Sequence, residues 1–237
     1  MAISRVQANS GYNAANNTTV SFASPPTAGN KMIARCRGQD CTTDISIPGW
    51  TLDQYARVGA AATYVAILSK TAGASESSNV TVTMVSASNV FLEIEEWQEV
   101  NTLDKVAKTD NTGGVTSRST GTTATTTADA ELCIAVCGFG DAGTSPSWSN
   151  SFSADFALAV GSIKFIGASK VISAAAAIET TASWTTTRVA GACVATYKLV
   201  SAGGPPKVKT VNGIAMASVK TVNGVAIASV KSINGIT

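Results

Sequence analysis

The chain has 237 residues, 17 basic against 15 acidic side chains, and no histidine, which excludes a Ser-His-Asp or Cys-His nucleophile and a zinc site of the HExxH kind. With 45% apolar and 14% charged residues, it can bury a core and does not read as a solvated disordered chain. A net charge of +2 gives no field that would make nucleic acid or an acidic membrane surface the expected partner.

Serine and threonine make up about a quarter of the residues, and Val, Ile and Thr recur in short alternating runs of the kind that form strands. The N-terminus, Met1-Ala2-Ile3-Ser4-Arg5-Val6, begins directly with such a pattern, so no export signal is expected. Strands are predicted over 3–8, 18–23, 31–37, 51–58, 61–69, 79–85 and 90–97, then over 131–138, 152–160, 163–171, 179–184 and 188–199. Turn-formers separate them, among them Asn9-Ser10-Gly11, Pro25-Pro26, Pro48-Gly49 and Thr112-Gly113-Gly114. No apolar run approaches the roughly 20 residues of a membrane-spanning helix.

Within 90–97, Val90, Leu92 and Ile94 share one pleat face while Phe91, Glu93, Glu95 and Trp97 share the other. One face is expected inward and the other toward solvent or a partner. Leu132 to Cys137 is apolar on both faces, as in a central strand covered on both sides. The best helical candidate is Ser173 to Glu179, with its run of four alanines, too short to stand alone. The pattern as a whole predicts an all-β fold: an antiparallel, jelly-roll-like β-sandwich over 1–200.

Texture changes at 201–206, Ser-Ala-Gly-Gly-Pro-Pro, a linker without apolar period. Residues 207–237 then repeat a unit of about 11 residues: Lys209-Thr210-Val211-Asn212-Gly213-Ile214 returns as Lys220-Thr221-Val222-Asn223-Gly224-Val225 and as Lys231-Ser232-Ile233-Asn234-Gly235-Ile236. Asn-Gly disfavours helix and is the strongest two-residue hairpin signal. A short β-hairpin tail is therefore expected, with Val222 facing Val225 and Lys220 facing Ile227. Long strand edges invite pairing with another chain. The tail is read as an oligomerisation or attachment element whose interface draws on Ile214, Met216, Val222, Val225, Ile227 and Ile233. Closed symmetry terminates edges, which favours a homotrimer over a dimer.

Several motifs have plain structural readings. Gly138-Phe139-Gly140-Asp141-Ala142-Gly143 matches GxGxxG, but Thr144-Ser145-Pro146 follows where a phosphate-binding helix should start, so it reads as an inter-strand loop and no cofactor is expected. Glu93, Glu95, Glu96 and Glu99 form the densest carboxylate group; their spacing along one strand nearly suits a glycosidase pair, yet decoration of a wet face is the simpler reading. Cys133, Cys137 and Cys193 read as small buried hydrophobes, whereas the turn Arg37-Gly38-Gln39-Asp40 admits a disulfide between Cys36 and Cys41. Trp50, Trp97, Trp148 and Trp184 lie in separate segments and read as packing residues.

The order of segments between 18 and 138 resembles a β-sandwich module of phage virion and bacterial surface proteins. The resemblance rests on Val20-Ser21-Phe22, Ala28-Gly29-Asn30, Ile47-Pro48-Gly49-Trp50-Thr51-Leu52, Ile94-Glu95-Glu96-Trp97 and Thr127-Ala128-Asp129-Ala130-Glu131-Leu132. The terminal Lys-Thr/Ser-Val/Ile-Asn-Gly repeat is similar to those that end many tailed-phage structural proteins. The resemblance implies a non-enzymatic virion component, a capsid decoration or fibre protein assembled in the host cytoplasm, with itself and other virion proteins as partners. The alternative is a carbohydrate-binding or adhesin module with Glu93, Glu95 and Trp97 as its glycan face.

Overall fold

The computed structural model describes residues 2–59, 63–110, 113–140 and 146–200, and beyond them four two-residue strands between 210 and 226. The chain divides into two compact units, Met1–Leu199 and Val200–Thr237. The described residues form strands and connecting turns throughout, so the fold is all-β. The helical candidate at 173–179 is a loop, since four alanines supply no apolar stripe that could be buried against a sheet.

The first half of the larger unit contains β1 (Ser4–Asn13), β2 (Asn17–Ser21), β3 (Lys31–Gln39), β4 (Ile45–Ser46), β5 (Thr51–Arg57), β6 (Tyr64–Thr71), β7 (Asn79–Met84) and β8 (Asn89–Gln98). They form a five-stranded sheet of order β1-β8-β3-β6-β5 and a three-stranded sheet of order β2-β7-β4. The second half contains β9 (Val100–Thr109), β10 (Val115–Ser119), β11 (Glu131–Gly140), β12 (Ser147–Trp148), β13 (Ser153–Val160), β14 (Ile163–Ile172), β15 (Thr181–Arg188) and β16 (Ala190–Leu199). Its sheets run β9-β16-β11-β14-β13 and β10-β15-β12.

The two halves repeat one topology strand for strand, so what reads in sequence as one sandwich is a tandem pair of eight-stranded, double-sheet jelly rolls. A single residue, Glu99, joins them, with φ at 61°. The sequence pattern misses β9 and β10. Polar and charged residues interrupt β9 along its length, and it forms the outer strand of its sheet, where only part of one face needs to be apolar.

The five-stranded sheets face each other and the three-stranded sheets cover their outer sides. One core fills the first jelly roll, with Met32, Leu68, Leu92 and Met84 among its residues. Another lies between the two large sheets, where Ile33, Ile67 and Phe91 meet Ile134, Phe165 and Tyr197. Two smaller cores close the second jelly roll, one built around the stacked rings of Phe139 and Trp184, 4.3 Å apart. Because both faces of β3, β8, β11 and β16 are covered, these strands are buried almost end to end.

In the tail, Thr210–Val211 (β17) pairs with Ile214–Ala215 (β18), and Thr221–Val222 (β19) with Val225–Ala226 (β20). The expected partnership of Val222 with Val225 is present. Lys220, Met216, Ile227 and Ile233 lie outside the described residues.

Candidate functional site

The strand that carries Glu93, Glu95 and Trp97 has the expected alternation, but its polar face is not wet. Glu93, Glu95 and Trp97 are at most 6% exposed, because the second jelly roll lies on that face. As a glycan-contact surface these three residues are therefore excluded. They belong instead to an ionic cluster between the two large sheets.

Arg35 on β3 stands directly across from Glu93 on β8. Its Nε donates to Glu93 Oε2 at 2.9 Å and its Nη2 to Glu93 Oε1 at 3.2 Å, a two-pronged grip suited to the planar guanidinium. Nη2 also lies 2.9 Å from Glu95 Oε1. On the other side Nη1 donates to Asp155 Oδ2 at 2.9 Å, with the carbonyls of Ala135 and Ala168 at 3.3 and 3.2 Å. Arg5 on β1 adds a second cation, its Nη1 donating to Glu95 Oε1 at 2.8 Å and Asp155 Oδ1 at 3.0 Å. Trp97 Nε1 donates to Glu95 Oε2 at 2.9 Å, and Ser169 Oγ to Asp155 Oδ1 at 2.9 Å.

The guanidinium of Arg35 lies 4.7 Å from the centroid of the Phe156 ring. Gly167 makes that stack fit, since a Cβ there would strike Phe156 and come within 2.8 Å of Arg35 Nη1. Burial opposes the charge on Arg35, yet Glu93, Glu95 and Asp155 outweigh it and raise its pKa above the ordinary value. Burial raises Glu93 well above the usual carboxylate range, with Arg35 pulling against it. Arg35 engages all three acids and so ties β3 and β8 to β13.

A second polar junction lies elsewhere in the same interface. Tyr197 on β16 donates from its hydroxyl to Asp53 Oδ2 at 2.6 Å, and Ser69 also hydrogen-bonds Asp53. Lys31 lies 5.7 Å from the centroid of the Tyr197 ring. Burial raises the Asp53 carboxyl, against the pull of Tyr197, Ser69 and Lys31. Arg5, Arg35, Asp53, Asp155 and Tyr197 were not singled out from the sequence. The available signal was Arg35 itself, a cation flanked by Ile33-Ala34 and Cys36 in the middle of a strand, where burial calls for a compensating partner.

The bridge expected between Cys36 and Cys41 is absent. Both are free and buried thiols, and burial pushes Cys41 up to about 11. Gly38 lies between them inside β3, which runs on to Gln39, so the chain is extended where the bridge required a turn. Cys133, Cys137 and Cys193 are buried free thiols as well. Of the tryptophans, Trp97 and Trp184 are buried, while Trp50 and Trp148 pack against cores from the margins. Gly138 and Gly140 belong to β11, whereas the rest of the GxGxxG match, 141–143, lies outside the described residues.

Among the described residues no group of three or more His, Cys, Asp or Glu side chains is placed to hold a metal ion, and no helix is long and apolar enough to cross a membrane. No family model, curated protein or solved structure matches the chain.

Proposed function

We propose that this protein is a non-enzymatic structural component of a phage virion, a capsid decoration or fibre protein whose repeat tail mediates self-association or attachment to the particle. The observation that carries this reading is the use made of the acidic residues. Buried between the two jelly rolls, Glu93 and Glu95 hold Arg35 in place within the first half, and from there Arg35 and Arg5 reach across to Asp155 of the second, which is a stiffening role. A rigid double module followed by a hairpin repeat suits a part that projects from, or is clamped onto, a larger assembly. Jelly rolls serve capsid and lectin proteins alike, so the fold leaves function to the site; the carbohydrate alternative has lost the face assigned to it.

The test is biochemical and microscopic. Purified particles from the source should contain the chain in many copies, and antibody against residues 1–199 should label them at a fixed location. Its absence from purified particles would overturn the assignment, and reproducible binding on a glycan array by the folded wild-type chain would favour the carbohydrate reading instead.

A further inference from the structure

Arg37 follows Arg35 by two residues on β3, so the two side chains leave the same face of the sheet. Their surroundings differ sharply. Arg35 is ringed by three carboxylates, whereas Arg37, only 4% exposed, has no hydrogen-bond partner for either Nε or Nη1. Its pKa falls to about 10, burial outweighing the weak opposing pull of Cys41, Cys137 and Asp40, which leaves it charged at neutral pH. A guanidinium desolvated in this way without a counter-charge is unfavourable.

The fold makes deliberate room for this side chain. Gly138 on β11 holds the place in the second jelly roll that Arg37 holds in the first, and a Cβ there would lie 3.0 Å from both Cδ and Nε of Arg37 and 2.6 Å from Val65 Cγ1. The second jelly roll therefore lacks a side chain where the first places a cation. Arg37 also lines a cavity of about 220 Å³ between the two halves, together with Gln39 and Thr63 from the first and Ser162 from the second. Val58 and Val189 supply apolar wall, and no described lining residue is acidic. The volume is below the roughly 300 Å³ at which pockets for drug-sized ligands begin.

We propose that this cavity binds a small tetrahedral oxyanion of the phosphate or sulfate class, held by the Arg37 guanidinium beside the Thr63 and Ser162 hydroxyls. The anion supplies a counter-charge that no described lining residue provides, and being gripped from both halves it acts as a further clasp at their junction. Size argues for an inorganic ion over a larger anionic metabolite.

The probe is inorganic phosphate or sulfate, titrated into the full chain with sodium chloride adjusted to hold ionic strength constant. Once the site is saturated, the wild-type melting temperature should climb by roughly 3 to 6 °C for each tenfold rise in the oxyanion. Arg37→Met should abolish that dependence; equal slopes in both proteins, or no slope in the wild type, would overturn the proposal. Removing an unpaired buried charge in favour of an apolar chain of similar length is often tolerated. Should the variant fail to fold, wild-type crystals soaked in selenate decide the matter: an anomalous peak within hydrogen-bond reach of Arg37 supports the site, and an empty cavity at saturating selenate sinks it.

Discussion

Asp53 and Asp155 occupy the same place in the two jelly rolls, and each is gripped by the half to which it does not belong. Asp53 is the extra residue where the register of β5 shifts between Leu52 and Gln54, and Asp155 the extra residue where that of β13 shifts between Ala154 and Phe156. Each hydrogen-bonds a serine of the neighbouring strand in its own half, Ser69 or Ser169. Across the interface, Asp53 accepts from Tyr197 and Asp155 from Arg35 and Arg5. A β-bulge re-aims a side chain out of the regular alternation, and here it turns an acid toward the opposite sheet twice over.

The first prediction concerns Arg35. Substitution by Met leaves Glu93, Glu95 and Asp155 buried with only the partly exposed Arg5 to compensate them. Breaking a buried ion pair from one side costs about 3–5 kcal/mol, or roughly 6 to 20 °C in Tm for a unit of this size. Replacing Arg35 and its three acids together by apolar residues of similar volume should recover much of that loss. A single Arg35→Met variant that melts within 2 °C of wild type would show that the cluster does not fasten the halves.

The second prediction tests the other junction by a double-mutant cycle. Tyr197→Phe removes the hydroxyl from Asp53 and leaves a buried acceptor short of a donor, at a cost of about 1–3 kcal/mol. Asp53→Asn in the same background should cost less than it does alone, since the two groups serve each other. Additive losses, measured by urea unfolding, would mean that the 2.6 Å hydrogen bond carries no coupling.

Much of this was legible in the residues, and the rest was hidden for a definite reason. Alternation alone separates Val90, Leu92 and Ile94 from Phe91, Glu93, Glu95 and Trp97 correctly, because a strand's period is 2 whatever covers it. What covers the second face is a long-range fact; a polar face looks wet until Arg35 and Asp155 are known to lie against it. The duplication leaves only faint traces: Ile33-Ala34 and Cys36 return as Ile134-Ala135 and Cys137, and Ser69 and Trp97 as Ser169 and Tyr197. Two sheets of one topology need the same faces buried, which many apolar residues satisfy, so topology persists where identity does not. The empty turn expected at 37–40 failed because hydrogen bonding to both β6 and β8 keeps β3 extended past Arg37.

The third prediction is a pair of opposite pH dependences. Burial pushes Asp104 up, but hydrogen bonds from Thr127, at 2.6 Å from its backbone and 2.7 Å from its hydroxyl, and from Lys105 outweigh that and hold the carboxyl below the usual aspartate range. A depressed acid stabilises the fold above its unfolded pKa, near 3.9, and the contribution is lost as pH falls through the folded value. The stability gap between wild type and Asp104→Asn should therefore shrink below about pH 4. Glu93 has the opposite sign. Its raised carboxyl favours the fold in the protonated form, below an unfolded pKa near 4.3, and that advantage is lost as pH rises through the folded value. Relative to wild type, Glu93→Gln should thus gain stability as pH climbs above about 4.3. Denaturant midpoints from pH 3 to 8 measure both, and parallel curves for the two variants would refute the assignment of signs.

The last prediction separates the tail from the jelly rolls. The last described strand of the larger unit, β16, ends at Leu199, whose N–H donates to the Ala130 carbonyl at 3.0 Å. Truncation after Ser201 therefore leaves the final strand β16 and its closing hydrogen bond intact, and the shortened chain should melt cooperatively within a few degrees of full length. The tail has the reverse character. Each described pairing joins two strands of only two residues, and even a longer isolated hairpin is marginal in water. On the proposed reading, pairing between copies of the tail would supply the missing hydrogen bonds, with closure expected at a trimer. Sedimentation of the two forms side by side checks this. Full-length chain should sediment as a closed oligomer and the truncated chain as a monomer; a monomeric full-length protein whose tail amides resist hydrogen exchange would show the repeats stable alone and end the case for tail-driven assembly.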